Sequence, residues 1–570
     1  MISGEVTEAD TGSAKVVASR LLLFAVAGTL LGLWWLAASA SAWATPAQDL
    51  HNQTVPTRTP APPIQLDQPI ATVPAGENGP PDPPTLGGNA APPDFGGLGG
   101  RIFRAGSSLA GNEEQWGSGA VFDAEPASGT SLYTSPHERF GFCVAQGSIG
   151  DYAVEQLHAG WYVNFTHGLA PLRPAGMEYA QTVRVKAGWY NPATITTTLG
   201  PVVDANPGSL WLIGNEPDRR GGQDDRLPAE YAVIYHDLYT FLKGRDPSCR
   251  VAIGGVVQPT PLRLKYLDMV LDAYRSRYGE MIPVDVWNVH GFILREDWTW
   301  GAGIPPGVDD YQELGMLYEV QDNDSIEIFQ RQIRAFRQWM ADHGERDKPL
   351  IVSEYGVLMP PIYGFDAERV RRFMLATFDF FLTTTDDELG YPADGNRLIQ
   401  RWAWYSLDDY VYDPHAGRGF NGNLFDPDTH AITPLGLAYG AYTAPDLAVS
   451  AVAFDPPRPV SHGKPVTVTI TAAVTNRGLS PATGVIVRFT NGDLAHEGER
   501  LGPDQAVAAV LPGASQPIHM SWTIASSGVY TITAAADPDN SIQEADETNN
   551  RASHTLQVFR GEIFLPAVGK

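Results

Sequence analysis

The 570-residue sequence predicts an α/β chain: a (β/α)8 barrel followed by a C-terminal all-β sandwich, with a long non-globular stretch in front. Three observations predict it. Eight short apolar runs alternate with helical segments between residues 135 and 443. A strict two-residue alternation of apolar side chains replaces that pattern after Pro445. Thirteen of the 46 prolines crowd between residues 45 and 100, where too few apolar side chains exist to offset the entropy of ordering.

Residues 1–44 read as a signal peptide or an N-terminal membrane anchor. The uncharged apolar run at 21–40 follows Lys15 and Arg20 and has the roughly 20 residues a membrane-spanning helix needs. Ala38-Ser39-Ala40, Ala40-Ser41-Ala42 and Ala42-Trp43-Ala44 each have the form of a cleavage site, so a cleaved signal and a retained anchor both stay open. Either way the rest of the chain is expected outside the cytoplasm or at the cell surface. Residues 45–134 read as a Pro/Gly-rich extended tether and lead-in.

Within 135–443 the candidate strands are 140–145, 161–166, 179–185, 210–215, 250–255, 284–290, 350–354 and 398–405. They are nearly continuously apolar, as strands buried on both faces should be. The clearest helix has Ile326, Phe329, Ile333, Phe336 and Met340 on one face, with Asp324 and Glu327 expected as its capping pair. A second runs through Leu262, Tyr266, Met269, Leu271 and Tyr274. Eight strands in about 310 residues suit a barrel, with a doubly wound sheet as the alternative. The connection around 192–207 carries the weakest helical pattern.

In 446–558, Val466, Val468, Ile470, Ala472 and Val474 alternate with polar side chains, as do Ile518, Met520, Trp522 and Ile524. Gly and Pro punctuation with no helical stretch predicts a sandwich. Its close, from Asp537-Pro538-Asp539-Asn540 to Asp546-Glu547-Thr548-Asn549-Asn550, resembles the end of CARDB-type, immunoglobulin-like adhesion modules. It reads as an acidic hairpin turn. A calcium loop is the lesser alternative, because Ile542 and Thr548 stand where such a loop has Gly and Glu. The module's ligand, protein or glycan, is left open. Residues 559–570 form a short tail.

A barrel sets its working side chains at the carboxyl ends of its strands. Two strands end there in Glu: Leu210-Trp211-Leu212-Ile213-Gly214-Asn215-Glu216-Pro217, the fourth, and Leu350-Ile351-Val352-Ser353-Glu354-Tyr355-Gly356, the seventh. A carboxylate pointing into a packed apolar interior is costly, so both are expected in a polar cleft, facing each other across the mouth. Two facing carboxyl groups are what glycoside hydrolysis uses. Two surface carboxylates near loops is the plainer alternative.

Asn-Glu-Pro on strand four and Ser-Glu-Tyr-Gly on strand seven resemble the catalytic strands of the clan A glycoside hydrolases, whose catalytic core is a TIM barrel of β-glucanase type. The resemblance spans roughly 138–443 and implies Glu216 as acid/base, Glu354 as nucleophile and Asn215 as a partner of the sugar 2-hydroxyl. It also implies a substrate-side place for His290, though Phe292 stands where the clan often has Tyr. A satisfied structural histidine is the alternative for His290. Trp404 falls where the clan has an aromatic floor for the sugar; alternatively Trp402 and Trp404 both fill the core. Trp161-Tyr162-Val163-Asn164-Phe165 resembles a Trp-Tyr-x-Asn-Trp stretch of small β-1,3-glucanase-like members, making Asn164 a candidate contact. The long 293–324 segment offers Trp298, Trp300, Tyr311 and Tyr318 to wall the cleft, or to pack the loop on itself. The 408–433 segment is the other candidate wall.

The charge balance, 39 Lys+Arg against 65 Asp+Glu, argues strongly against nucleic acid and anionic membrane surfaces as partners, since both need a basic footprint. Cys143 and Cys249 are expected as two unpaired buried thiols. No Ser-hydrolase, zinc-protease or phosphate-loop signature is present, and no cofactor or metal is implied. The expected function is an exported retaining glycoside hydrolase acting on a β-linked polysaccharide or oligosaccharide. The alternatives are a non-catalytic carbohydrate-binding or adhesion protein on a barrel scaffold, and a transglycosylase using the same residues.

Overall fold

The computed structural model describes residues 132–413, 421–492 and 498–562. The apolar segment at 21–40, the tether up to residue 131, part of the 408–433 wall and the end of the tail lie outside the described residues. Among the described residues, no helix is long and apolar enough to cross a membrane.

Eight parallel strands form the first module: β1 (Phe140–Cys143), β2 (Trp161–Val163), β3 (Glu178–Val183), β4 (Leu210–Asn215), β5 (Arg250–Gly255), β6 (Trp287–Gly291), β7 (Leu350–Tyr355) and β8 (Arg401–Trp404). They run in the order β5-β4-β3-β2-β1-β8-β7-β6. Parallel bridges Ala252–Val286 and Val256–Val289 join the two remaining edges, so the sheet is a barrel and not a doubly wound sheet. Every predicted strand has its counterpart. The ends shift where side chains take over the backbone amides: β1 stops early because the Asp408 carboxylate accepts from the amides of Ala145 and Gly147, both at 2.7 Å.

Strand alternation sorts two layers. Trp161, Val163, Leu210, Leu212, Ile351 and Ala403 fill the barrel interior. Phe140, Trp211, Val289 and Trp402 face the surrounding helices. Those helices include Pro228–Arg245, Pro261–Tyr278, Ile326–Asp342, Ala367–Thr383 and Pro434–Thr443, while the 192–207 connection is broken into short turns. The Ile326–Asp342 helix is capped differently from the expected pair. Ser325 Oγ accepts from the Ile328 amide at 3.3 Å, and Asp324 instead grips Arg369 at 2.6 Å. A hydroxyl at the residue before the first turn reaches the free amides, whereas Asp324, one position earlier, has a guanidinium within reach.

At the amino ends of the strands, Tyr133 lies over two arginines. Its ring centroid is 4.6 Å from the Arg401 guanidinium and 5.6 Å from that of Arg250, and its carbonyl accepts from Arg139 at 2.7 Å. Glu178 bridges Arg401 and Arg250 beneath it, at 2.7 and 2.6 Å.

The second module pairs β9 (Leu447–Asp455), β11 (Val466–Asn476) and β15 (Ser515–Ile524) in one antiparallel sheet. The other sheet has the order β10 (Val460–Ser461), β17 (Arg551–Arg560), β16 (Gly528–Ala536), β12 (Ala482–Asn491) and β13 (Glu499–Arg500), with β14 (Gln505–Val510) also on β12. Val468, Ile470, Ala472 and Val474 point into the core between the sheets, as their alternation predicts. The acidic close folds as a turn that caps itself: Asp537 accepts from Ser541 and Ile542, and Asp546 accepts from Thr548.

Glu544 in that turn accepts from the Leu447 amide and from Asn550 Nδ2. Burial, with the charges of Glu547 and Asp537 beside it, pushes its carboxyl up to about 8. A carboxyl raised on folding stabilises the fold fully only below its unfolded value, and that contribution is lost as pH rises through about 8. Glu544→Gln keeps an acceptor and removes the charge. Its melting-temperature advantage over the unsubstituted chain is therefore expected to widen between about pH 5 and about pH 8.5. A difference that does not change with pH contradicts this.

Candidate active site

The mouth of the barrel brings together three side chains from β4, β6 and β7. Alternation along β4 puts Leu210 and Leu212 inside, and Glu216 reaches the mouth one residue past the strand, after the left-handed backbone at Gly214 (φ 91°). There the backbone takes a left-handed turn (φ 46°), and the Glu216 amide donates to the Gly255 carbonyl at 3.1 Å. On β7 the same rule fails. Ile351 points inward, so strict alternation would turn Glu354 outward. The β6–β7 register pairs Val289 with Val352 but His290 with Glu354, leaving Ser353 as the extra residue of a bulge. The bulge reverses the parity, sending Glu354 inward and Tyr355 outward against Phe381 and Trp404. Asn288 Oδ1 accepts from the Ser353 amide at 3.3 Å, and Cys143 Sγ donates to its carbonyl at 3.4 Å.

His290 stands between the two carboxyl groups. Its Nδ1 is 3.2 Å from Glu216 Oε1 and 3.6 Å from Glu354 Oε2. One donor atom from each of the three lies within 4.8 Å of the others. Glu216 and Glu354 are only 5% and 8% exposed. The imidazole rests on Gly255, where a Cβ would strike His290 Cδ2, so glycine is required by the close approach.

Burial and the neighbouring Glu216 push the Glu354 carboxyl up to about 7, against the pull of His290. Burial works the same way on Glu216, but the hydrogen bond from His290 and the charge of Arg219, 3.9 Å away, outweigh it and hold that carboxyl below its ordinary range. Burial opposes a charge on His290, yet Glu354 and Glu216 together raise its pKa. The surroundings thus favour a proton on Glu354 over one on Glu216.

Beneath Glu216, Asp218 pairs with the fully buried Arg263, which also binds Glu296 at 2.9 Å. Arg263 donates further to the carbonyls of Ala302 and Gly303, both at 2.9 Å, and Glu296 accepts from Thr260 Oγ1 at 2.6 Å. This network pins the 293–324 loop to the ends of β4 and β5. The sequence reading missed it, because its members are far apart along the chain.

Asn215 is buried beside Glu216, its amide donating to Asp224 at 2.8 Å. Asn164 Oδ1 accepts from Tyr179 OH at 2.5 Å. Trp298 is 61% exposed under the Arg220 guanidinium, 5.4 Å from ring to cation. Trp300 instead packs partly buried against the barrel core, and Tyr318 is buried. Cys143 and Cys249 are free and buried.

The expected role of Trp404 as a sugar floor is corrected by the structure. Trp404 is 0% exposed, its Nε1 donates to the Gly422 carbonyl at 2.8 Å, and its ring meets Tyr355 edge-on. With Ala403 inside the barrel, Trp402 and Trp404 both face the helices. Tyr405 is the inward aromatic at this strand end, near Phe165 and Phe292, with its hydroxyl donating to Asp409 at 2.9 Å. The small Ala403 between two bulky tryptophans was the available signal, since a narrow barrel interior takes the smaller side chains.

Residues 444–554 match the CARDB family model. The C-terminal module is of CARDB type. No curated protein matches the chain. Among solved structures, a GH128 (subgroup I) endo-β-1,3-glucanase from Amycolatopsis mediterranei, in complex with laminaritriose, is 16% identical. That match covers 53% of this chain and 98% of the other, with a TM-score of 0.34. A GH128 (subgroup VII) oligosaccharide-binding protein from Trichoderma gamsii is 12% identical over 54% of this chain and 96% of its own, TM-score 0.32. The CARDB domain of a Pyrococcus furiosus protein, in complex with di-metal ions, is 23% identical over 20% of this chain and 90% of its own, TM-score 0.17.

Truncating a buried Trp costs about 3–5 kcal/mol of stability. Trp404→Ala is expected to lose an amount in that range in denaturant unfolding, while Trp404→Phe keeps most of the stability. A Trp404→Ala chain as stable as the parent contradicts the core assignment.

Proposed function

We propose that the barrel is a glycoside hydrolase that cleaves a β-linked polysaccharide or oligosaccharide with retention of configuration. The observation that supports this reading is the convergence of Glu216 and Glu354 from opposite sides of the barrel, an oxygen of each within 4.8 Å. Retaining glycosidases need carboxyl groups about 5–5.5 Å apart, because one must reach the sugar carbon that the other's proton is freeing. An inverting pair, which must leave room for a water, stands about 6.5–9.5 Å apart.

In the proposed reaction, a carboxylate oxygen of Glu354 attacks the anomeric carbon while Glu216 gives its proton to the departing glycosidic oxygen. Glu216 then takes a proton from water, whose oxygen attacks from the face the leaving group left, opposite Glu354, breaks the Glu354–carbon bond and restores the free carboxylate. In this reading Asn215 binds the sugar 2-hydroxyl. These roles need the shared proton on Glu216, whereas the surroundings favour it on Glu354, so substrate binding has to reverse that preference. The apolar segment at 21–40 supports export, with the enzyme acting outside the cell or at its surface.

The test is turnover on β-1,3-glucans, other β-glucans, xylans, mannans and host-type glycans, with the first product's anomer followed by NMR. A β-configured first product is expected, and an α-configured one overturns retention. Glu354→Ala and Glu216→Ala are each expected to lower turnover at least about 100-fold, the lower range for general acid–base residues. Azide should rescue Glu354→Ala to an α-glycosyl azide and Glu216→Ala to a β-glycosyl azide; the reverse pattern exchanges the two roles. Binding to a glycan with no turnover on any of them would instead identify a carbohydrate-binding barrel.

A further inference from the structure

Glu354 Oε2 is buried and, among the described residues, has no hydrogen-bond partner, in a side chain only 8% exposed. An oxygen in that state is costly unless something occupies the space in front of it. What faces it is His290 Nδ1 at 3.6 Å, and beyond that Glu216 Oε1, itself 3.2 Å from the same nitrogen.

We infer that these three atoms form a zinc site, in which a Zn2+ ion bound across the carboxyl pair holds the barrel inactive until the ion is removed. The inactivation rests on the hydrolase reading, whereas the metal site itself does not. Zinc binds imidazole nitrogen and carboxylate oxygen at about 2.0–2.2 Å, so two donors of a tetrahedral site lie about 3.3–3.6 Å apart. Two edges, 3.2 and 3.6 Å, match that spacing, and the third, within 4.8 Å, asks the two carboxylates to close slightly on the ion.

The donor set also selects the ion. Calcium takes six to eight oxygens at about 2.3–2.6 Å, and magnesium asks for an octahedron of oxygens; one nitrogen and two carboxylate oxygens satisfy neither. Two carboxylates and a neutral imidazole around a dication sum to zero charge, which suits a site this buried. A water would complete the tetrahedron as the fourth ligand. Binding displaces the proton shared within the cluster to solvent. With Glu216 Oε1 and Glu354 Oε2 both on the ion, neither is free to donate a proton or attack carbon.

The experiment titrates ZnCl2 into the metal-stripped, untagged full chain by calorimetry at about pH 7.5, alongside His290→Ala and Glu354→Gln, each checked for folding by circular dichroism. One tight ion per chain is expected. Loss of an outer-shell partner alone costs about 10–100-fold in metal affinity, so removal of a ligand in either variant should weaken binding by at least about 100-fold. Co2+ in place of Zn2+ should give the intense visible absorption of a tetrahedral centre, absent from both variants. Equal affinity in folded variants, or no saturable binding, overturns the site. Where the metal-free chain turns over a glycan, stoichiometric zinc should abolish that turnover and chelator should restore it; turnover unaffected by saturating zinc also overturns the site. Zinc binding that passes these variant tests, with no turnover of any glycan by the metal-free chain, sinks the hydrolase reading and leaves the metal site standing.

Discussion

Two carboxyl groups buried within 4.8 Å of one another cannot both carry a charge cheaply, and the mouth of this barrel is organised around that constraint. Water is too scarce there to screen the repulsion, so the pair must share a proton, a hydrogen-bond donor or a cation. His290 supplies the donor, and its place depends on the bare Gly255 beneath it. Arg219 adds a distant positive charge on one side only. The resulting asymmetry lowers the carboxyl of Glu216 and raises that of Glu354, two chemically identical side chains set apart by their surroundings.

Holding such a pair takes a rigid frame, and the frame is itself built from buried charge. Arg263 has no exposed surface, yet it meets Asp218, Glu296 and two loop carbonyls, so its desolvation is met by partners on every side. Asp218 follows Glu216 by two residues, while Glu296 belongs to the long loop after β6. One guanidinium thus couples the backbone bearing a carboxyl group to the segment bordering the mouth.

Its place at the end of an apolar strand made Glu216 legible, although left-handed backbone at Gly214 and Glu216 interrupts the alternation there. The eight strands and the sandwich were legible because two-residue periodicity and burial are local properties. Glu354 was found by its neighbours in sequence, not by parity, which the bulge at Ser353 inverts. Trp404 was misread because adjacent aromatics on one strand look alike until the size of the inward residue, Ala403, is weighed. The capping of the Ile326–Asp342 helix slipped by one position for a related reason, since Asp324 had a competing arginine from another helix. The Asp218–Arg263–Glu296 network was illegible throughout; only the folded chain brings its members together.

Tyr133 sets the two ends of the barrel apart. Its ring over Arg401 and Arg250, and its carbonyl on Arg139, close the pole opposite the carboxyl pair. Side chains at that pole therefore bear on the stability of the barrel, and those at the mouth on its chemistry.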